Sequence, residues 1–102
     1  MLEKHIEAAI LDYLNYSGWF VVKLKDQCAV RNGVYRKPPP YMIPGVADIY
    51  ALKDGRSIWF EVKNERGKQS EHQKSFGRNI KIKGGEYYVV RSIDEVKEAL
   101  KQ

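Results

Sequence analysis

Two short segments on either side of an Asp-Gly pair most tightly constrain what this chain can fold into. Asp48–Leu52 (Asp-Ile-Tyr-Ala-Leu) predicts one strand, and Ser57–Lys63 (Ser-Ile-Trp-Phe-Glu-Val-Lys) predicts another. Between them, Lys53–Arg56 (Lys-Asp-Gly-Arg) is typical of a tight turn. We therefore expect a β-hairpin here.

The returning strand of this hairpin separates an apolar face from a polar one. Side chains alternate along a strand, so Trp59, Glu61 and Lys63 share the face opposite Ile58, Phe60 and Val62. Glu61 and Lys63 are neighbours, separated by roughly 7 Å of strand rise. Asp48 lies beside them if the hairpin pairs in register. Two carboxylates and an ammonium converging at a sheet edge suit a divalent cation and a water nucleophile, the chemistry of phosphodiester hydrolysis.

A solvated sheet face is the plainer interpretation of the same spacing, because Glu-x-Lys is common and only geometry makes a site. Two features of the surroundings favour a functional site. Trp59, Tyr50 and Leu52 make the face partly apolar. The loops on either side carry cations placed to meet phosphates, namely Arg36, Lys37, Arg66 and Lys68.

Composition limits the class of protein. The 102 residues suffice for one domain with a modest core, and 43% hydrophobic with 30% charged residues is a globular balance. No apolar run approaches the roughly 20 residues that span a membrane, and the N-terminal residues do not resemble a signal peptide. Cys28 is the single cysteine, which excludes an internal disulfide and favours a cytoplasmic location. One Cys and two His residues do not make a four-ligand zinc site.

The net charge of +5 should attract polyanions. A cluster of carboxylates in such a chain is locally negative although the net charge of the protein is positive. This is expected where a cation is held near phosphates.

The remaining sequence predicts an α/β fold. Helical spacing over residues 2–16 predicts a first helix, and residues 19–24 are typical of a strand. Ser70 begins a helix over residues 71–83, residues 86–91 form a strand, and Ser92 to Glu95 is a capping box that opens the last helix. Prolines indicate an irregular segment over residues 25–45. The order α-β-β-β-α-β-α predicts a central mixed sheet flanked by helices.

Taken in order, four motifs resemble a known family. Gly45-Val-Ala-Asp48, Glu61-Val62-Lys63, Gly67-Lys-Gln-Ser70-Glu-His-Gln73 and Tyr88-Val-Val-Arg91-Ser92 together resemble the VRR-Nuc family of the PD-(D/E)XK nuclease superfamily. The resemblance implies a restriction-endonuclease-like core. It covers nearly the whole chain, which implies a single stand-alone domain over residues 1–102, the form often carried by phages. Ala47 replaces the usual Pro and Gln69 replaces an apolar residue, and both departures concern loop geometry.

The resemblance also implies roles for individual residues. Asp48 and Glu61 would ligate Mg²⁺ or Mn²⁺, assisted by the backbone carbonyl of Val62. Lys63 would orient or help deprotonate the attacking water and stabilise the charge that grows on the phosphorane. The family places a further acidic ligand in its first helix.

Glu7 best matches that further ligand, and Glu3, one turn earlier, is the competitor. A boundary glutamate paired with a lysine is the plain alternative for Glu7. Gln73 completes a capping box with Ser70, and the family places this pair beside the active site, so Gln73 could also position water or phosphate. His5 and His72 are expected at the surface.

The segment over residues 25–45 mixes cations with aromatic residues, among them Arg31, Tyr35, Arg36 and Lys37. The neutral interpretation of this segment is a solvated surface loop. The functional interpretation is an arm that engages DNA or, equally, a cover for a dimer partner. The leading hypothesis is a metal-dependent endonuclease for branched DNA; similarity to Holliday junction resolvases implies a homodimer. A flap or nicking nuclease, a non-catalytic basic DNA-binding module and a protein-interaction domain are the alternatives.

Overall fold

The computed structural model describes residues 1–24, the strand residues 30–31 and 34–35, and residues 41–102. Along the chain the elements are α1 (Glu3–Tyr16), β1 (Phe20–Lys23), β2 (Val30–Arg31), β3 (Val34–Tyr35), β4 (Ile49–Lys53), β5 (Arg56–Val62), α2 (Glu71–Ile82), β6 (Glu86–Val90) and α3 (Ile93–Leu100). No helix in these ranges combines the length and the apolar character needed to cross a membrane.

A four-stranded mixed sheet in the order β1-β4-β5-β6 forms the centre of the fold. β4 pairs antiparallel with both β1 and β5, whereas β6 runs parallel to β5. A parallel pair needs a crossover connection, and α2 supplies it. The expected mixed sheet with flanking helices is confirmed.

Among the described residues of the segment 25–45, which was predicted to be irregular, two short strands form outside the central sheet. β2 and β3 form a separate two-stranded sheet in which Val30 opposes Tyr35 and Arg31 opposes Val34. Two residues per strand are too few to produce the alternation by which a strand is recognised in sequence.

The tight turn predicted over Lys53–Arg56 is confirmed. Lys53 and Arg56 pair with each other, so Asp54 and Gly55 are the two central residues of the turn. Both have positive φ, 51° and 80°, as the two-residue turn of type I′ requires. This turn determines the register of the whole hairpin and therefore which residues of β4 and β5 face each other.

The two faces of the sheet are covered differently. On one face, Ile58 and Phe60 pack with Ile6, Ile10 and Leu14 of α1 and with Val96 and Ala99 of α3, which forms the main core. On the other face, α2 packs Phe76 against Tyr87, with Trp59 and Ile80 alongside. The polar face of β5 therefore lies beneath α2, which buries Glu61 and leaves Trp59 and Lys63 partly exposed.

Two glycines allow α2 to lie this close. A methyl group added at Gly45, whose φ is 80°, would lie 2.3 Å from the carbonyl carbon of His72 and 2.6 Å from the amide nitrogen of Gln73. One added at Gly77 would lie 2.5 Å from the ring of Tyr87. Gly77 lowers helix propensity at the centre of α2, but it makes room for the aromatic ring.

Arg56, the first residue of β5, connects this strand to β6 and to the end of α3. Its guanidinium donates two 2.8 Å hydrogen bonds to the carboxylate of Glu86 and a third to the carbonyl of Leu100 at the end of α3. The hydrogen bonds from Arg56 hold the pKa of Glu86 below its usual value.

Candidate active site

Asp48 and Glu61 face each other across two antiparallel strands. Ile49 pairs with Phe60, so the same register carried one residue further opposes Asp48 and Glu61. Directly opposed residues on an antiparallel pair lie on the same face with their Cβ atoms roughly 5 Å apart. Asp48 is 6% exposed and Glu61 is 1% exposed. The polar face is therefore a buried pair of carboxylates and not the solvated face that was the plainer interpretation of the spacing.

Asp48 is held by the backbone around it. Its carbonyl accepts a 2.8 Å hydrogen bond from the amide of Leu24, which extends the β1–β4 ladder by one residue. Its Oδ2 accepts a 2.7 Å hydrogen bond from the amide of Val62. The side chain is thus fixed at the point where β4 begins and β5 ends.

Glu61 lies between a cation and an amide. The Nζ of Lys63, whose side chain is 12% exposed, is 3.7 Å from Oε2 of Glu61. The Nε2 of Gln73 donates a 3.0 Å hydrogen bond to the same oxygen. A buried carboxylate is tolerated when charges and donors replace its lost hydration, and these two groups do so.

Gln73 forms the expected capping box and also contacts Glu61. Its Oε1 accepts from the amide of Ser70, and its own amide donates to Oγ of Ser70, which completes the capping box at the start of α2. The other end of its side-chain amide reaches Glu61. The helix cap therefore fixes the orientation of the amide that contacts the carboxylate. By contrast, the box expected at Ser92 is only half formed, because Glu95 accepts from the amide of Arg91 instead.

Tyr87 supports this arrangement from β6. Its hydroxyl accepts a 2.9 Å hydrogen bond from Nε2 of Gln69 and lies 3.5 Å from the carbonyl of Gln73. Burial, reinforced by the negative charges of Glu61 and Asp48, raises the pKa of Tyr87 to about 12 although the hydrogen bond from Gln69 opposes the shift. The phenol therefore remains neutral and acts as a fixed polar contact at the base of the site.

The donors at this point fit a small divalent cation. The amide of Val62 faces Asp48, and because the N–H and C=O of a strand residue leave on the same side, the Val62 carbonyl faces the same edge. Two carboxylates and a carbonyl are hard oxygen donors of the kind that Mg²⁺ accepts. Among residues 1–24 and 41–102, no group of three Asp, Glu, His or Cys side chains forms a metal cluster. Two carboxylates with phosphate and water as the remaining ligands are a common arrangement for Mg²⁺.

The two candidate glutamates of α1 lie in different surroundings. Glu7 has a side chain that is 14% exposed, and its Oε1 is 3.9 Å from Nζ of Lys23, the kind of lysine pair considered as its plain alternative. Glu3 lies close to the lysine of the site: a methyl group added at Gly67 would be 2.8 Å from Oε2 of Glu3 and 3.1 Å from Cδ of Lys63. The choice between them as a metal ligand stays a prediction.

The predicted DNA-binding residues fall into two groups. Arg66 and Lys68 are exposed in the loop after β5, and Arg91 fixes this loop by donating to the carbonyls of Asn64 and Gly67. Arg31 and Tyr35 belong to β2 and β3, but their side chains lie outside the described residues, as do Arg36 and Lys37 entirely. His5 and His72 are exposed, as expected.

Sequence reasoning missed Tyr87, Gly45 and the role of Gln69. Tyr87 and Gln69 meet only because β6 returns beside β5, and no local pattern indicates that contact. Gly45 was quoted only as part of a motif, although a glycine between Pro44 and a strand is a signal for a required positive φ.

These features define a class: an α/β domain whose mixed sheet carries two opposed carboxylates, a lysine and a helix-capping glutamine at the ends of adjoining strands. A solved structure described as a VRR_NUC domain aligns with this chain at a TM-score of 0.70 and 22% sequence identity, covering 98% of this chain and 95% of that one. The chain therefore has the fold of the VRR-Nuc domain, as the resemblance implied. No family model and no curated protein sequence matches it.

Proposed function

We propose that this protein is a divalent-metal-dependent endonuclease that hydrolyses phosphodiester bonds in DNA. The observation that carries the proposal is the pair of buried carboxylates, Asp48 and Glu61, with the ammonium of Lys63 3.7 Å from Glu61. The VRR-Nuc fold and a net charge of +5 support a polyanionic substrate.

The chemistry of the site follows from its donors. Asp48, Glu61 and the Val62 carbonyl would hold Mg²⁺ or Mn²⁺, with Glu7 or Glu3 as a further acidic ligand. When bound, the cation supplies positive charge that screens the non-bridging oxygens of the phosphodiester. Hard oxygen donors and a need for coordinated water favour Mg²⁺.

Lys63 contributes at the attacking water. Its ammonium orients the water, whose proton leaves to solvent, and its charge stabilises the phosphorane as the water oxygen bonds to phosphorus and the bond to the leaving oxygen breaks, with that oxygen taking a proton from solvent. Gln73 keeps Glu61 in one orientation and can also contact water or phosphate.

The preferred substrate is branched DNA, with a four-way junction as the leading candidate. A symmetric homodimer would place two such sites on opposing strands, as paired incision of a junction requires. The exposed cations of the loop after β5, Arg66 and Lys68, support contacts with phosphates. A flap or nicking nuclease of the same chemistry is the nearest alternative.

One assay tests the proposal. Purified protein is incubated with Mg²⁺ or Mn²⁺ and labelled four-way junction, flap, single strand and plain duplex, alongside Lys63→Ala. We expect cleavage of branched DNA that the variant abolishes while it still binds. Binding without cleavage under either metal would instead establish a non-catalytic DNA-binding module, and equal cleavage of duplex would remove the preference for branched DNA.

A further inference from the structure

A groove with aromatic walls runs beside α2, outside the carboxylate cluster. It has a volume of about 350 Å³ and its surface is mainly apolar. Residues from the loop before β4, from β5 and from the second half of α2 line it, namely Ile43, Trp59, Phe76, Asn79, Ile80 and Lys83. The catalytic chemistry proposed above uses none of these residues.

The groove begins next to the candidate active site. Trp59 precedes Glu61 by two residues on the same face of β5, a separation of roughly 7 Å. Phe76 follows Gln73 by one helical turn on α2. A strand of DNA whose phosphate lies at Asp48 and Glu61 would therefore bring a neighbouring nucleotide to the groove.

The chemistry of the groove matches a nucleobase. Trp59 is half-buried and lies edge-on to Phe76, with their ring centroids 5.5 Å apart, so the walls present aromatic and aliphatic surface. Base stacking on aromatic side chains needs such a surface. The exposed Asn79 offers an amide at the rim that can hydrogen-bond to a base edge.

The charge at the rim matches the phosphate that accompanies a base. Lys83 is exposed at the end of the groove. A purely apolar protein partner would leave this cation unexplained, whereas a single strand offers both an apolar base and an anionic backbone.

The geometry points to a binding site for an unpaired nucleotide in this groove, so that the protein takes branched DNA in which a nucleotide next to the bond that it cuts is unpaired, as at the opened centre of a four-way junction or at the base of a flap. This inference rests on the proposed nuclease function for its biological meaning. The binding itself needs no catalysis, because the groove and the carboxylates are separate.

The test measures binding without metal, so that no cleavage occurs. Anisotropy of a labelled oligothymidine of about twelve nucleotides, a length within the range covered by small single-strand binding folds, gives the affinity. The wild-type chain is compared with Trp59→Leu, which keeps an apolar side chain but removes the stacking surface, and with Lys83→Ala. Lys81→Ala is the matched control, since it removes the same charge from the same helix outside the groove.

We expect Trp59→Leu to weaken binding of the single strand on the order of tenfold, the loss of one stacked base. Lys83→Ala should weaken binding more than Lys81→Ala does. Tryptophan emission gives a second readout: the single strand should quench it, whereas blunt duplex should not, and Trp19 is buried in the main core and should not respond.

Equal effects of Lys83→Ala and Lys81→Ala, together with unchanged affinity of a folded Trp59→Leu, would overturn the proposal. A change of emission with protein concentration in the absence of DNA would overturn it in favour of a second copy of the chain. Failure of the nuclease proposal looks different: the single strand would still quench emission, but no substrate would be cut with either metal.

Discussion

Glu61 places a carboxyl group at 1% exposure opposite that of Asp48, and burying two such groups together costs folding free energy. Lys63 and Gln73 offset part of this cost, and Val62 does the same for Asp48. A core that served stability alone would place apolar side chains here, because they need no compensation. The arrangement is therefore better explained by a ligand that uses the two carboxylates.

Asp48→Asn tests whether the two carboxylates serve a ligand, because it replaces a single carboxylate oxygen by an amide nitrogen. The Asn side chain can still accept the hydrogen bond from Val62, and the substitution removes one of two opposed negative charges. We expect the free energy of unfolding to stay the same or rise, while cleavage falls on the order of 10²–10³-fold. Thermal denaturation with and without Mn²⁺ provides an independent readout, since the metal should raise the Tm of the wild-type chain only. A variant that cleaves normally would exclude Asp48 from the site.

The ionisation of Tyr87 makes the stability of the fold depend on pH at high pH. The pKa of its phenol is raised from 10.0 to about 12 in the folded chain. A raised folded pKa means that its contribution to stability is fully present below pH 10 and is lost as the pH rises towards 12. We expect near-ultraviolet titration to show one tyrosine fewer ionising near pH 12 in Tyr87→Phe than in the wild-type chain. Curves that differ only near pH 10 would contradict the buried position of this phenol.

At the scale of elements, the site depends on how closely α2 approaches the start of β4. Gly45 permits that approach, because its missing side chain leaves space for the backbone of the first turn of α2. Gln73 lies in this turn and donates a hydrogen bond to Glu61. The distance between helix and strand therefore determines how Gln73 reaches Glu61.

Gly45 and Gly55 form a matched pair for testing this. Both have a φ of 80°, but a methyl group at Gly55 meets nothing within 4 Å, whereas one at Gly45 meets the backbone of α2. Gly55→Ala should cost about 1 kcal/mol of unfolding free energy from backbone strain alone. Gly45→Ala should cost a further 1–3 kcal/mol and also lower cleavage, because Gln73 is displaced. Chemical denaturation measures both, and equal costs would show that the helix is free to move away.

The opposition of Asp48 and Glu61 could be predicted from sequence, because a two-residue turn determines which residues pair along the whole hairpin. Once Asp54 and Gly55 form the turn, Asp48 must oppose Glu61. The contact from Gln73 could not be derived from the residues in this way. It depends on where a crossover helix packs on the sheet, which local patterns do not specify. The strands β2 and β3 could not be predicted for a different reason: each has only two residues, which is too short to show a period.

At the scale of the whole molecule, the chain carries an excess of positive charge, while two of its carboxylates lie buried side by side. The chain has 18 Lys and Arg residues against 13 Asp and Glu residues, yet Asp48 and Glu61 lie inside. A polyanion is thus attracted to the surface in general, and the carboxylates repel it until a cation intervenes. Metal-free protein should therefore still bind DNA through contacts away from the pair.

Salt dependence measures those contacts. Each phosphate neutralised in duplex DNA steepens the plot of log affinity against log salt by about 0.9. Lys68 is exposed in the loop that Arg91 fixes beside Lys63, so Lys68→Ala should reduce the slope by about 1 for a metal-free four-way junction. Lys101, exposed at the end of the chain and paired with Glu98, is the control and should leave the slope unchanged. Equal reductions by both substitutions would mean that DNA is bound by the net charge of the protein and not by a surface arranged around the carboxylate pair.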